Sequence, residues 1–581
     1  MFVHDHRDED LRIELTALFQ EEVFRPREGL SYADRCRLTY ERLRRVGARI
    51  PPGTKLLGDP RRLFTIMEWA ALADPSLFVA MTIHYCLSLG PIVELGGGRE
   101  ELAPHREALD TMRAIGTILV TELGQGNSHV DLRTSLTYDA ARDEIVVHTP
   151  DAAAQKFMPN AGLSGVAKLG VVYGQLSIGG RASGVFPVVV LLRDEHGPRP
   201  GVRIRALPES ALVPLDHAVV AFDHVRVPAG HLLRDTATIV PAFHDPLGNP
   251  NRRLQRSLTV RQNAWVACSS ALASVTRASV WIALRYSEQR HTCTPGVPAM
   301  PVLRYRSQQR ALLGGLASAY AITTWVNRAK ALRAGAILGE KQPDVMVNRT
   351  LGLVKALGVR IADRVTADCR SRCGAQGAFA VNRIATYEGL SHALGAAGGD
   401  DHLILLGAAR TLAAGLEYTP PDPGPSTGTL ADPATWLHLA RARERSLHTE
   451  LVQGLRDAGG SPFDVWNDRL VLGAELAWAH AERLCLESFL EHVAEQRGPH
   501  REALEAVSAL YASEHLSRMS GDLLARGLME PAHARTLDAR CNALCARIMP
   551  ELERLIDAFE LPLEVLGAPI AEPETHARPF S

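Results

Sequence analysis

The sequence is poor in lysine and has no block of charge of one sign. Only six of its 64 basic residues are lysine, at positions 55, 156, 168, 330, 341 and 355, which leaves 64 − 6 = 58 arginines. A bias that uniform reflects a GC-rich genome more than 58 anion sites. Against 65 acidic residues the formal net charge is −1, so neither a polyanion-binding surface nor an acidic tail is expected, and nucleic acid is not an expected partner. The nine cysteines form no CxxC pair, and an odd number fits free thiols in a reducing compartment better than a disulfide framework. No apolar run reaches the ~18 to 20 residues of a membrane span. The opening MFVHDHRDEDLRIEL is too charged for a secretion signal, and the closing RPFS is not a peroxisomal address. A cytoplasmic protein is expected. There is no 20 to 50 residue repeat, P-loop, HExxH or GxSxG, and the Gly-rich stretches ELGGGRE (94 to 100) and GAAGGDD (395 to 401) lack GxGxxG spacing. A Rossmann domain is therefore excluded, and no metal is expected.

What is present is a change of hydrophobic period along 581 residues, 46% of them hydrophobic, enough for a large core in several modules. Residues 1–114 carry helical spacing, as in Leu63, Ile66, Met67 and Ala70. Over 115–235 the period becomes two, in SLTY (135 to 138), EIVVH (144 to 148), GVVYGQLS (170 to 177), VFPVVVLL (185 to 192) and HAVVAFDHVRV (217 to 227). No long helical pattern separates these runs, so an antiparallel β domain is expected. Helical spacing returns in long segments over 236–417, which read as a helix bundle. A Pro/Gly/Thr stretch at 418–436 reads as a linker, and 437–581 as a second helical domain with a frayed HARPF tail. The expected fold class is α+β, mostly α.

The sharpest local signal is VTELGQGNS at 120 to 128. Gly124 and Gly126 permit a tight turn with exposed N–H groups, and Thr121 adds a hydroxyl, a combination suited to a planar cofactor edge or a phosphate. A β-turn capped by a threonine accounts for the same residues.

TELGQGN followed by KFMPN (156 to 160) resembles the flavin-binding region of the acyl-CoA oxidases, a branch of the acyl-CoA dehydrogenase superfamily. AFDHVRVP (221 to 228), RYSEQRH (285 to 291), SQQ (307 to 309), CGAQG with NRI (373 to 384) and LLGAAR (405 to 410) extend the resemblance in order over roughly 75 to 416. It implies a helical N-terminal domain, a middle β domain, a four-helix bundle and an extra C-terminal helical domain. FAD is implied between the β domain and the bundle, in a homodimer whose partner subunit covers the adenosine pyrophosphate.

By the same resemblance Thr121 bonds the flavin ring, and the loop at Asn160 lines it where the family has glycine. Arg290 reaches the partner's FAD pyrophosphate, and Gly374 and Gly377 lie near the partner's adenine. An arginine at a helix C-terminus and a pair of C-cap glycines are the plain alternatives. Arg306 stands where the family has glutamine, which puts the adenosine contact in doubt.

In the family a glutamate takes the α-proton of an acyl-CoA while the β-hydride leaves for flavin. Its position falls here on Gly398, so the expected base is absent. Asp400 and Asp401 precede a helix, where aspartate is a preferred N-cap. His291 lies near the end of its helix, Glu388 could reach inward from a loop, and Glu122 reads as a motif residue and not a base. Glycine at 398 also leaves room for a bulkier or cyclic acyl group, as in secondary metabolism. The expected function is an FAD-dependent oxidase of an acyl-CoA or related acyl thioester, with O2 as acceptor. An oxygenase acting on such a thioester and a catalytically silent FAD-binding partner protein stand as alternatives.

Overall fold

A computed structural model describes residues 9–127, 129–239, 242–339 and 344–573. Ser128 of the glycine motif and the HARPF tail lie outside these residues. By internal contacts the chain falls into two units, Ala17–Ala267 and, together with the chain up to Thr16, Cys268 onward.

The first unit begins with helices whose starts are written in the sequence. Ser31 caps Tyr32–Gly47 by accepting from the Asp34 N–H, and Asp59 and Asp74, each followed by proline, cap Pro60–Ala73 and Pro75–Met81. The last continues through a π-helical stretch, Thr82–Leu89.

Nine strands follow: β1 (Ile115–Leu119), β2 (Ser135–Asp139), β3 (Glu144–His148), β4 (Lys156–Asn160), β5 (Lys168–Ile178), β6 (Arg181–Arg193), β7 (Val202–Ala206), β8 (His217–Phe222) and β9 (Val225–Pro228). One sheet runs β1-β5-β2-β3-β9 with β6 also on β5, and the other runs β4-β8-β7. Their inward faces share a core that includes Leu136, Val172, Phe186, Val188, Val220 and Phe222. Each alternating run of the sequence became a strand, with HAVVAFDHVRV broken into two at Asp223-His224. Pairing is antiparallel except that β1 and β2 each run parallel to β5. The expectation of purely antiparallel pairing assumed that a parallel crossover needs a helix; here other strands supply it.

The second unit is helical. Cys268 to Gln289 belongs to the helix Arg261–Gln289, and Arg306–Ile337, Asp344–Arg372, Ile384–Ala396 and Asp401–Ala413 follow. Beyond them come Pro433–Asp457, Leu470–Glu495, Gly498–Ala525 and Pro531–Ile548. The hairpin β10 (His291–Thr294) and β11 (Val297–Pro301) interrupts the helices. The stretch from 418 to 432 is irregular, while 433–436 of the expected linker already belongs to the helix Pro433–Asp457, and the segment is pinned: Tyr418 donates to Glu444 Oε1 at 2.9 Å and the Trp436 indole to Leu430 O at 2.7 Å.

Two helical stretches, Pro75–Gly96 and Pro250–Gln289, do reach the length and hydropathy of a membrane span, contrary to the sequence reading. Their apolar windows are 78% and 94% buried inside the protein, as in core helices.

Candidate functional site

The glycine motif runs beside β4. Phe157 N donates to Thr121 O and Leu123 N to Gln155 O, each at 2.9 Å, and Glu122 bridges Lys156. Alternation then sorts the side chains. Glu122 and Lys156 face inward, both wholly buried, with Lys156 Nζ 2.9 Å from Glu122 Oε1. Thr121, Leu123 and Phe157 face the other way and are partly or largely exposed.

Glu122 also accepts from Arg133 N, Thr134 N and the Thr134 hydroxyl at 2.7 to 2.9 Å. Burial raises its pKa, but the Lys156 ammonium and these donors outweigh that and hold the carboxyl below its usual range. Burial pushes Lys156 down to about 8. A carboxylate so fully engaged is an anchor for the loop. At Gly124 an added Cβ would stand 2.6 Å from Ala153 Cβ, so the turn can be this close only with glycine, whereas Gly126 faces open space.

Asn160, expected to line the flavin, ends β4 wholly buried, and its side chain turns inward. Its Nδ2 donates to the Tyr40 hydroxyl at 3.2 Å. Lys168 Nζ donates to that hydroxyl at 2.6 Å and lies 3.2 Å from Asp216 Oδ2, and Tyr40 in turn donates to Asp216 Oδ1. The asparagine thus ties β4 to the helix Tyr32–Gly47.

In the helical unit, Arg290 follows the helix ending at Gln289. Its guanidinium is exposed, has no carboxylate in ion-pair range among the described residues, and reaches within 3.1 Å of where a Cβ on Gly374 would sit. Gly374 takes φ +60°, and at Gly377 a Cβ would meet Arg370 O at 2.2 Å. Both positions favour glycine, and Gly374 lies against Arg290. Arg306 is exposed at the start of Arg306–Ile337 and donates to Gln309 Oε1 at 2.6 Å. The neighbouring Gln308 is buried and donates to Ser287 Oγ and Arg372 O at 3.0 and 3.2 Å, joining three helices.

The loop at 397–401, where the resemblance leads one to expect the glutamate, is built on tandem glycines. Gly398 takes φ +71° and Gly399 +112°, conformations that L side chains rarely enter. A Cβ at 398 would approach only Cys268 Sγ, at 3.7 Å, and burial pushes that thiol up to about 12, so it carries no thiolate at neutral pH. Beneath the loop lies Lys355, wholly buried, donating to Gly399 O at 2.8 Å and to Asp401 Oδ1 at 2.7 Å. Burial raises the Asp401 carboxyl above its usual range despite the ammonium. Asp400 is the N-cap, accepting from His402 N at 2.8 Å.

Two other candidate bases sit elsewhere than expected. Glu388 is on the helix Ile384–Ala396, not in a loop, and is paired with Arg370 Nε at 2.5 Å. His291 opens β10, exposed, its Nδ1 2.9 Å from Gln289 O. Lys355, Lys156 and Cys268 were missed as site residues; the rarity of lysine was the available signal for the first two.

Comparison with known proteins places this architecture. The family model described as acyl-CoA oxidase, C-alpha1 domain matches residues 260–413, and the one described as acyl-CoA oxidase matches 432–573. Among solved structures, acyl-CoA oxidase 1 of Arabidopsis thaliana superposes with a TM-score of 0.84 at 22% identity, covering 98% of this chain and 90% of that one. A Caenorhabditis elegans acyl-CoA oxidase-2, bound with FAD, ascaroside-CoA and ATP, gives 0.82 at 18% over 97% and 88%. The fold is therefore that of the acyl-CoA oxidases.

Relatives in sequence include the peroxisomal acyl-coenzyme A oxidase 2 of Arabidopsis thaliana, 28% identical over 91% of this chain and 82% of its own. Peroxisomal acyl-coenzyme A oxidase 3 of Homo sapiens is 27% identical over 88% and 80%. The chain belongs to the acyl-CoA oxidase family and is an acyl-CoA oxidase-like oxidoreductase.

Proposed function

We propose that the protein is an FAD-dependent oxidoreductase of acyl thioesters, with CoA as thiol and O2 as acceptor, specialised for an acyl group bulkier or more acidic at its α-carbon than a straight saturated chain. The observation that carries this reading is the 398–401 loop: two consecutive glycines held by Lys355, with no carboxylate at 398 and Cys268 Sγ 3.7 Å from where a Cβ would stand.

The residues present fit the cofactor. The outward face of Thr121, Leu123 and Phe157, fixed by the buried Glu122–Lys156 pair, offers a half-exposed apolar platform with one hydroxyl. Arg290 beside Gly374 offers an exposed guanidinium next to bare backbone, the pairing that suits a pyrophosphate. In this reading Thr121, Gly124 and Gly126 hold the flavin of their own chain, and Arg290, Gly374 and Gly377 serve that of a second copy, with Arg306 adding charge at the same end. FAD supplies a two-electron acceptor that O2 can reoxidise. Two neighbours, the Caenorhabditis elegans acyl-CoA oxidase-1 and -2, are described as bound with FAD.

The chain's own acids narrow the chemistry. Glu122, Glu388 and Asp400 are committed to structural partners, and His291 is exposed on a hairpin. Asp401 keeps a raised carboxyl but is held by Lys355. A substrate whose α-proton is already acidified needs no stronger base. Nine free cysteines fit a reducing, cytoplasmic setting.

The test is to identify the flavin extracted from purified protein, then follow O2 uptake with straight-chain, cyclic and α-acidified acyl-CoAs. Uptake confined to the latter two supports the proposal. Uptake fastest with straight chains contradicts it. Label from 18O2 in the product would favour an oxygenase, and no uptake or flavin reduction with any thioester a silent FAD-binding protein.

A further inference from the structure

Away from these loops, three metal-ligating side chains converge at one corner of the β sheets. His148 ends β3, and Asp223 and His224 form the two-residue turn from β8 to β9. The corner's backbone is fixed by Thr149 N donating to Phe222 O at 2.8 Å and Asp223 N to Gly201 O at 2.8 Å. Phe222 N also donates to the Thr149 hydroxyl at 2.9 Å.

His224 takes φ +50°, a left-handed conformation that histidine enters more readily than most residues. Its ring lies on His148, with centroids 3.9 Å apart and planes at 25°. Asp223 Oδ1 is 2.9 Å from His224 Nδ1. One ligating atom from each of the three residues lies within 4.8 Å of the others. His148 Nδ1 is buried with no hydrogen-bond partner among the described residues, a rare state for a polar atom.

We propose that His148, Asp223 and His224 form a binding site for one divalent first-row transition-metal ion. Two imidazoles and a carboxylate are a ligand set for Zn2+, Ni2+ or Cu2+, with water completing the shell. A tetrahedral ion with bonds of ~2.1 Å holds its donors about 3.4 Å apart. The side chains therefore close by about an ångström on binding, which His224 and Asp223, 66% and 57% exposed, are free to do. The ion would brace β3, β8 and β9 where the chain passes from one sheet to the other. Sequence spacing hides the site, because 75 residues separate His148 from Asp223.

The test is calorimetric titration of tag-free, chelator-treated holoenzyme with Zn2+ and, to discount thiols, with Ni2+. Two variants preserve the fold: His148→Phe keeps an aromatic ring in the strand, and His224→Asn keeps a residue tolerant of positive φ. The expected result is one equivalent bound per chain, a Kd raised at least tenfold in each variant, and a metal-dependent rise in Tm present only in the parent protein. Absence of saturable binding, or an unchanged Kd in either variant, overturns the proposal.

Discussion

The loop at 120–127 and the loop at 397–401 are built alike and do different things. Each is held from below by a wholly buried lysine, Lys156 in one and Lys355 in the other. In the first, lysine meets a carboxylate that is itself sealed by three further donors, and the glycines serve close packing and exposed backbone. In the second, lysine holds a backbone carbonyl and a half-buried aspartate, and the glycines take conformations a side chain would resist. One carboxylate is spent as an anchor; at the other loop the position expected to carry one is a glycine. Among the described residues three lysines are wholly buried, Lys168 being the third. Each of the three reaches more than one acceptor, as a compact ammonium can.

The largest separation between the loops should come from removing the lysines. Lys156→Met leaves Glu122 charged and sealed, so a loss of about 3–5 kcal/mol is expected. Lys355→Met should cost less, about 2 kcal/mol, because Asp401 is 15% exposed and can reach water. Denaturant melts of both variants measure the difference, and equal losses would dissolve the distinction.

Glycine substitutions sharpen it further. Gly124→Ala drives a Cβ into Ala153 and should cost about 1–3 kcal/mol. Gly398→Ala has room but the wrong φ, for about 1–2 kcal/mol. Gly126→Ala, in open space, should stay within about 0.5 kcal/mol.

The smallest effect expected is one of pH. Glu122 has its folded pKa below the unfolded value of about 4.3, so its contribution is complete above that pH and is lost as pH falls through the folded value. Asp401 is shifted the other way, so its ionised form works against folding and acid relieves it. As pH falls through the lowered folded value of Glu122, hydrogen-exchange protection should fall at Arg133 and Thr134, whose amides it accepts.

Much of the fold was legible because period-two runs and capped helices are local signals: SLTY, EIVVH and GVVYGQLS lie in β2, β3 and β5. The parallel pairs of β1 and β2 with β5 were not, because partner choice is set by packing between distant segments. The hairpin at His291 was hidden by its shortness and its Pro-Gly turn. At the site, Thr121 and Gly124 stood out by spacing, and the N-cap role of Asp400 by its place before a helix. Lys355 lies 43 residues from Gly398 on another helix, so its clamp is visible only in three dimensions.

We propose that the 398 loop lacks the base needed for an unactivated acyl chain. The most direct measurement is an anaerobic titration of the purified flavoprotein with a straight-chain saturated acyl-CoA, followed at the visible flavin band. A band perturbed in shape but not bleached is the expected result. Bleaching within turnover time would mean that α,β-dehydrogenation proceeds with glycine at 398, and would contradict the account.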